Sequence, residues 1–336
     1  MIESTHLENV ACPLGCKEND EIILVGHDRI NNLPGEFTVV KCRNCGLMRT
    51  NPRPAPEGMG DYYPDNYGPY LGTQVEQRQP NRPSEIKSFL RPLVRRIFNT
   101  KSEALPVLHP GRLLEIGCAS GSFLHRMAAC NWQVEGIELS EKAANAARQL
   151  GYQVHIGSLE NAPAPAYPFD LIVGWMVLEH LHKPIDGLKK LHEWANSGAW
   201  LVLSVPNMNT WVFEVFKDKW YSLHLPNHLY HFTPQTLATV LEAGGWSLEK
   251  VHHQRSATDL IVSAAYAAEE KGWPKLGKWL RDFAGWGGIW FYLLFPIAWV
   301  LSAFSQSGRM TVWARKRVEV ALPSTSAAVT TRRMGV

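Results

Sequence analysis

The sequence predicts an α/β chain: a mostly parallel sheet wrapped by helices, preceded by a small cysteine-bearing module and interrupted by an apolar helical insertion ahead of its last strand. Three observations predict it. The stretch RLLEIGCASGSFL, residues 112–124, reads as a buried strand, a glycine turn and a helix start. Strand and helix signals alternate regularly from Gly111 onward, as βαβ units require. Two cysteine pairs stand before this region, and an uncharged run of about twenty residues stands near its end, where few soluble helices carry one.

Composition narrows the class. A chain of 336 residues holds one large or two modest domains. Its formal charge of +3 is too small for the whole molecule to be a nucleic-acid binder, and no nucleic-acid partner is expected. Residues 1–20 are polar and lack the charged-then-apolar form of a secretory signal, so a cytoplasmic location is expected. Six cysteines in a cytosolic chain point to metal or structural use before disulfides.

Taken in order, residues 1–52 form the cysteine module. Cys12 and Cys16 make a C-x3-C pair; Cys42 and Cys45 make a C-x2-C pair followed by Gly46. Four thiolates on turns suit tetrahedral Zn2+, and four protein ligands leave no position open for a substrate, so the zinc is expected to be structural. Residues 53–105 begin with a loop bearing Tyr62, Tyr63, Tyr67 and Tyr70, either a lid over a site or packing between domains. A basic amphipathic helix follows, with Ile86, Phe89, Leu90, Leu93, Val94 and Ile97 on one face beside Arg91, Arg95 and Arg96.

At the glycine turn, Glu115 precedes Gly117, and Ala119 and Gly121 follow at two-residue steps. A carboxylate there repels a phosphate, so the expected ligand is cationic. The second strand, WQVEGIELS, ends in Glu138, roughly twenty residues past the glycines, where an acid accepts hydrogen bonds from both ribose hydroxyls. The third ends at Ser158 and Leu159, near an adenine ring; the fourth brings Trp175, Glu179 and His180 to the cleft; the fifth ends in Pro206 and Asn207. In open α/β sheets ligands sit outside the carboxyl ends of the strands, so these residues share one rim.

The ordered set EIGCASGSFL, GIELS, FDLIVGWMVLEHL, WLVLSVPN, TPQTLATVLEAGGW and RMTVWARK resembles the class I S-adenosylmethionine (SAM) methyltransferases over most of residues 106–318. The resemblance implies a Rossmann-like seven-stranded sheet with SAM as methyl donor. It implies a donor site of Glu115, Gly117, Cys118, Ala119, Gly121, Glu138, Leu139, Ser158, Leu159 and Trp175. The leader CPLGC…CRNCGLMRTNPRP…YYPDNY is similar to the zinc-binding segment of bacterial methyltransferases of sugar-nucleotide and cell-surface glycan pathways, sugar C-methyltransferases included. Methyltransferases of ubiquinone biosynthesis share only the core pattern. The implied acceptor is a small molecule: a sugar nucleotide, a glycan or a lipid-linked precursor. The competing readings are a quinone or lipid O-methyltransferase at the membrane and a non-catalytic SAM-binding zinc scaffold.

Candidate catalytic residues are His228, His180 and His231, since histidine takes up a proton near neutral pH. WYSLHLPNHLYHFTPQTL gathers His224, His228 and His231 between the fifth strand and the next helix. Aligned on the acid–histidine pair of the sugar C-methyltransferases, His228 takes the histidine place and Asn227 the place of the acid. His180, beside Glu179, is expected to meet the acceptor, or to help hold a divalent ion as in some quinone O-methyltransferases.

The insertion, residues 256–308, separates two strands of one sheet, so a single membrane crossing is excluded by topology. Pro296, the nearby glycines, Trp286, Trp290 and Trp299 predict a monotopic or re-entrant hairpin in the inner leaflet, aided by Lys275, Lys278 and Arg281. A homodimer interface or subdomain core is the alternative. Residues 319–336 read as a disordered tail.

Overall fold

A computed structural model describes residues 6–63, 105–285 and 289–317. Tyr67, Tyr70, the basic helix, Trp286 and the tail lie outside the described residues.

Five strands open the chain: β1 (Leu7–Glu8), β2 (Asp20–Gly26), β3 (Phe37–Cys42), β4 (Met48–Thr50) and β5 (Arg53–Pro54). The core follows as β6 (Arg112–Ile116), α1 (Ser122–Ala128), β7 (Gln133–Glu138), α2 (Glu141–Gln149), β8 (Gln153–Ile156), β9 (Phe169–Trp175), α3 (Pro184–Trp194) and β10 (Ala195–Pro206). Then come α4 (Trp211–Phe216), β11 (Tyr230–His231), α5 (Pro234–Ala243), β12 (Trp246–His253), α6 (Thr258–Glu270), α7 (Pro274–Gly285), α8 (Ile289–Ala303) and β13 (Arg309–Lys316).

The seven-stranded sheet runs β12-β13-β10-β9-β6-β7-β8, as the expected fold requires. β6 to β10 pair in parallel, and β13 runs antiparallel to both β10 and β12. The chain leaves β6 for β7 on one side and β9 pairs on the other, so the ends of β6 and β9 flank the crevice where ligands enter. Apolar residues on both faces make this sheet a buried one. Leu114, Ile116, Ile172, Leu201 and Leu203 pack in one cluster with Leu188, Leu237 and Trp246. Leu113, Leu171, Val173 and Val202 pack in another with Phe123, Leu124 and Ala147. Each such side chain contributes about 1.5–3 kcal/mol on burial. Local signals agree with this packing. Ser140 caps α2 by accepting the Ala143 N–H, and Thr233 and Thr236 form a reciprocal capping box on α5.

The cysteine module is fused to the core. Its sheet runs β11-β4-β3-β2, so its outer strand is Tyr230–His231, contributed from beyond β10. Phe37, Val39, Met48 and Tyr62 share a core with Met208, Val212, Phe213, Trp220 and Leu225. Arg53 ties the parts together, donating to Glu8 at 2.8 Å, the Tyr230 hydroxyl at 3.1 Å and the His182 carbonyl at 3.2 Å.

The insertion is three helices, α6 to α8, and among the described residues no helix is long and apolar enough to cross a membrane. Pro296 lies inside α8. Trp273, Trp279, Trp299 and Phe304 are exposed, Phe304 by 72%.

Candidate active site

A cavity of about 920 Å3 opens at the carboxyl ends of the parallel strands. Of the residues singled out in the sequence, Gly117, Ala119, Glu138, Leu139, Ser158, Leu159, Trp175, His180 and His228 line it. The remaining predicted residues stand behind that lining. Glu115 is buried within β6, Cys118 is packed beneath the turn, and Gly121 meets α2. His231 is buried in β11, where its Nε2 lies 3.1 Å from the Thr50 hydroxyl of the cysteine module.

At the β6–β7 end the glycine turn and Glu138 form one unit. Gly117, Ala119 and Gly121 have φ of 67°, 45° and 79°, the left-handed region. A Cβ on Gly117 would stand 2.7 Å from the Val177 Cγ2. This backbone donates into the Glu138 carboxylate: Ala119 N–H to Oε2 at 2.8 Å and Ser140 N–H to Oε1 at 2.7 Å. Each oxygen keeps a lone pair for a ligand. Burial raises the Glu138 pKa, partly offset by these N–H groups. Further along, Trp175 lines the cavity, and its Nε1 is buried without a partner among the described residues.

At the other end two imidazoles are fixed in one tautomer. His228 Nδ1 lies 2.9 Å from the Ser222 carbonyl, and His180 Nδ1 lies 2.9 Å from the Asn227 carbonyl and 2.8 Å from the Tyr63 hydroxyl. A carbonyl oxygen only accepts, so each Nδ1 carries the proton and each Nε2 presents a lone pair. Burial lowers His180 to about 4, drives His228 well below its ordinary value and lowers His224 to about 3. All three are neutral at pH 7. Glu179, fully buried, lies 4.0 Å from the His228 Nε2; neither of its carboxylate oxygens has a hydrogen-bond partner among the described residues. Burial pushes its pKa up to about 8. Glu179, His180 and His228 place their ligand atoms within 4.8 Å of one another.

Asn227 takes the place of an acid for a local reason. Its Nδ2 donates to the Tyr62 carbonyl at 2.8 Å, a contact a carboxylate would make repulsive. The insertion supports this loop from outside. Asp259 in α6 accepts the Ser222 hydroxyl, and Ser263 accepts the Tyr221 N–H at 2.9 Å. Sequence reasoning missed these supports, and also Tyr221, Ser222 and Arg309 in the cavity wall.

In the cysteine module, Cys12, Cys16, Cys42 and Cys45 are free thiols whose sulfurs lie within 4.8 Å of one another, with Cys12 and Cys45 3.6 Å apart. Each pair sits on a turn closed by a glycine with positive φ, Gly15 at 73° and Gly46 at 79°.

A parallel sheet with a cavity of about 920 Å3 at its switch point, an oriented acid on β7 and neutral imidazoles opposite is the frame of an α/β small-molecule enzyme. The family described as Methyltransferase domain matches residues 82–251. The chain belongs to that family and is a SAM-dependent methyltransferase. It is 28% identical over 192 residues to the ubiquinone biosynthesis O-methyltransferase of Aromatoleum aromaticum, covering 48% of this chain and 82% of that one. Against the enzyme of the same name from Nitrosospira multiformis it is 26% identical over 152 residues, 41% of this chain and 64% of that one. Solved structures that it resembles include a SAM-dependent methyltransferase from Mesorhizobium loti, with 17% identity, a TM-score of 0.41 and coverage of 67% of this chain and 97% of that one. Likenesses of that degree add no weight to the family match.

Proposed function

We propose that the enzyme transfers a methyl group from SAM to a hydroxyl of a small-molecule acceptor, a sugar nucleotide, glycan or lipid-linked precursor, with His228 as the base. One observation carries this reading: the cavity has an oriented carboxylate at one end and a fixed, neutral imidazole with its lone pair outward at the other. The cavity fits the donor. Glu138 has lone pairs to spare, and the glycine turn brings the backbone of Gly117 and Ala119 into the cavity wall without a bulky side chain. Glu138 would hold the ribose hydroxyls, and Ser158, Leu159 and Leu139 the adenine. SAM supplies an electrophilic methyl, and most of the barrier reduction comes from aligning the acceptor oxygen with it in a dry pocket.

His228 Nε2 receives the hydroxyl proton. Its neighbour Glu179, 4.0 Å from that nitrogen and uncharged in the resting site, would stabilise the imidazolium only by giving up its own proton to solvent. His180, held by Asn227 and Tyr63, orients the acceptor from the other side. The test is a screen for methyl transfer from labelled SAM to sugar nucleotides and polyprenyl-linked sugars. Absence of transfer to all of them, with transfer to a catechol, would replace this acceptor class.

A second reading is favoured by the carboxylate of Glu179, buried and without a hydrogen bond. With His180 and His228 it makes a two-histidine, one-carboxylate donor set whose Nδ1 protons are tied to backbone carbonyls, an arrangement that suits a divalent cation. Those three residues would hold the ion, which would serve as a Lewis acid for an oxygen acceptor. Dependence of turnover on added Mg2+ or Zn2+ separates the readings.

The four cysteines form the structural Zn2+ site of this proposal. Sulfurs on a tetrahedral zinc stand about 3.8 Å apart at ordinary Zn–S lengths, and Cys12 and Cys45 are already 3.6 Å apart. The exposed tryptophans of the insertion, with Lys275 and Lys278, are the surface that would rest on an anionic membrane.

A further inference from the structure

Glu138 ends β7 and Glu160 follows β8 in the cavity wall, with Lys183 just before α3; Arg309 stands at the start of β13. β13 is antiparallel to the others, so its first residue, paired with Pro206 at the end of β10, comes out at the carboxyl-end rim. β13 and β7 are four strand spacings apart, about 19 Å. The acidic end and Arg309 therefore face one cavity from opposite sides.

Among the enclosed arginines of the described residues two lack an acid partner: Arg255, which lies over the Phe295 ring at 5.8 Å and is no part of the cavity wall, and Arg309, which lines the cavity. Arg49 is paired with Asp20 at 2.5 Å and Arg53 with Glu8 at 2.8 Å. Half-buried Arg29 and Arg112 are paired with Asp218 and Glu135. The half-buried guanidinium of Arg309 makes no hydrogen bond or ion pair among the described residues. Its field reaches Glu179 and His224. A planar five-donor group that lines a cavity without a protein acceptor is open to a ligand, and its fork matches phosphate and carboxylate geometry. Tyr221, Ser222, His224 and His228 in the same cavity wall carry no negative charge; of the nearby acids, Glu179 is held uncharged by burial and Asp259 is engaged by the Ser222 hydroxyl. The sulfonium of the donor would add a second cation to the same cavity.

We infer that Arg309 is the specificity residue for an acceptor bearing a phosphoryl group, which it binds beside the histidine loop while the methylated hydroxyl points at His228. The inference rests on the donor and acceptor ends assigned above and narrows the acceptor class: a neutral phenol leaves Arg309 unpaired, whereas a sugar joined to a phosphate or diphosphate satisfies it. Such a group comes from a soluble nucleoside diphosphate sugar or from a polyprenyl phosphate sugar.

The experiment is calorimetric titration of the full chain, first with S-adenosylhomocysteine, then, in its presence, with inorganic pyrophosphate, UDP-glucose, undecaprenyl phosphate in detergent micelles, and catechol. A phosphoryl-bearing probe is expected to bind the wild type, Arg309→Gln to weaken it at least tenfold, Arg309→Lys to weaken it less, and S-adenosylhomocysteine affinity to stay within twofold in both variants. Binding of UDP-glucose but not the micellar probe assigns the soluble source, and the reverse assigns the lipid one. Binding of S-adenosylhomocysteine with none of the phosphoryl probes, or equal binding of those probes to wild type and Arg309→Gln, overturns the inference and leaves the donor site standing. Failure of S-adenosylhomocysteine itself to bind overturns the donor assignment on which it rests.

Discussion

Replacing Gly117 by alanine tests the donor end most directly. Gly117 has φ of 67°, and a Cβ there would stand 2.7 Å from Val177 Cγ2, closer than real Cβ atoms come. The left-handed conformation costs a non-glycine residue about 1–2 kcal/mol. Forcing Val177 aside adds about 1–3 kcal/mol. The sum, about 2–5 kcal/mol, is large beside a domain stability of roughly 5–15 kcal/mol. Val177→Ala removes Cγ2 and so relieves the steric share while leaving the backbone share. In a double-mutant cycle the pair should couple favourably by about 1–3 kcal/mol. Urea unfolding of the four proteins gives the cycle, and S-adenosylhomocysteine titration shows whether the turn still binds. Gly121→Ala provides the contrast: its Cβ meets Ala147 Cβ at 2.9 Å, behind the lining, so stability should fall with a smaller loss of affinity per kcal/mol. If Gly117→Ala unfolds like wild type, or Val177→Ala gives it no relief, the steric reading of this turn is wrong.

Four further outcomes are expected. His228→Ala should lose at least 100-fold in turnover, the usual scale of general-base catalysis, while binding S-adenosylhomocysteine normally; unchanged turnover removes it from the mechanism. His231 titrates at an ordinary 6.5 once unfolded but only at about 3 when folded, because it is buried. The unfolded chain thus binds the extra proton below pH 6.5, and stability falls from there towards pH 3, by about 2 kcal/mol at pH 5. His231→Gln should remove that share, so identical pH dependence in urea unfolding at pH 7.5 and pH 5 would contradict it. Purified protein should carry one equivalent of zinc, and Cys42→Ser should lose both zinc and the module's protection from protease; a folded, metal-free wild type would end the zinc reading. Trp279→Asp with Trp299→Asp should abolish sedimentation with anionic vesicles, whereas a concentration-dependent dimer that the same changes dissociate would assign the surface to a second copy.

The parts of the site that sequence reveals are those carried by regular spacing along parallel strands. Glu138 falls where a second strand must end, and the structure shows it gripped by the N–H groups of Ala119 and Ser140. Motif membership is a weaker guide to contact. Glu115, Cys118 and Gly121 belong to the turn, yet a strand alternates its faces, so Glu115 turns with Leu113 away from the face of Leu114 and Ile116. His231 shares its loop with His228 but lies in a two-residue strand, too short for any periodic signal, and that strand carries it to Thr50. Nothing in the local sequence of the cysteine module says that its sheet is completed from 180 residues away, since a long-range pairing leaves no short-range mark. Arg309 was legible only as the first residue of a last strand; that it opens onto the cavity follows from the reversal of β13.

That reversal also explains where the insertion lies. β12 runs towards the rim and β13 runs away from it, with His253 paired to Met310 at their junction. Any chain inserted between them must leave and return beside the acceptor end, whatever its own sequence. Two consequences follow from this one topological fact. Helix α6 is brought under the histidine loop, where Asp259 and Ser263 hold Ser222 and Tyr221, and Ser222 in turn fixes the His228 tautomer. The insertion also carries the exposed tryptophans of α7 and α8, on the chain segment that leaves and returns at this rim. The surface proposed to meet a membrane and the support of the histidine proposed as base are thus parts of the same insertion. A change in α6 is therefore expected to move kcat through His228, while a change at Trp279 or Trp299 moves only the apparent KM for a lipid-borne acceptor.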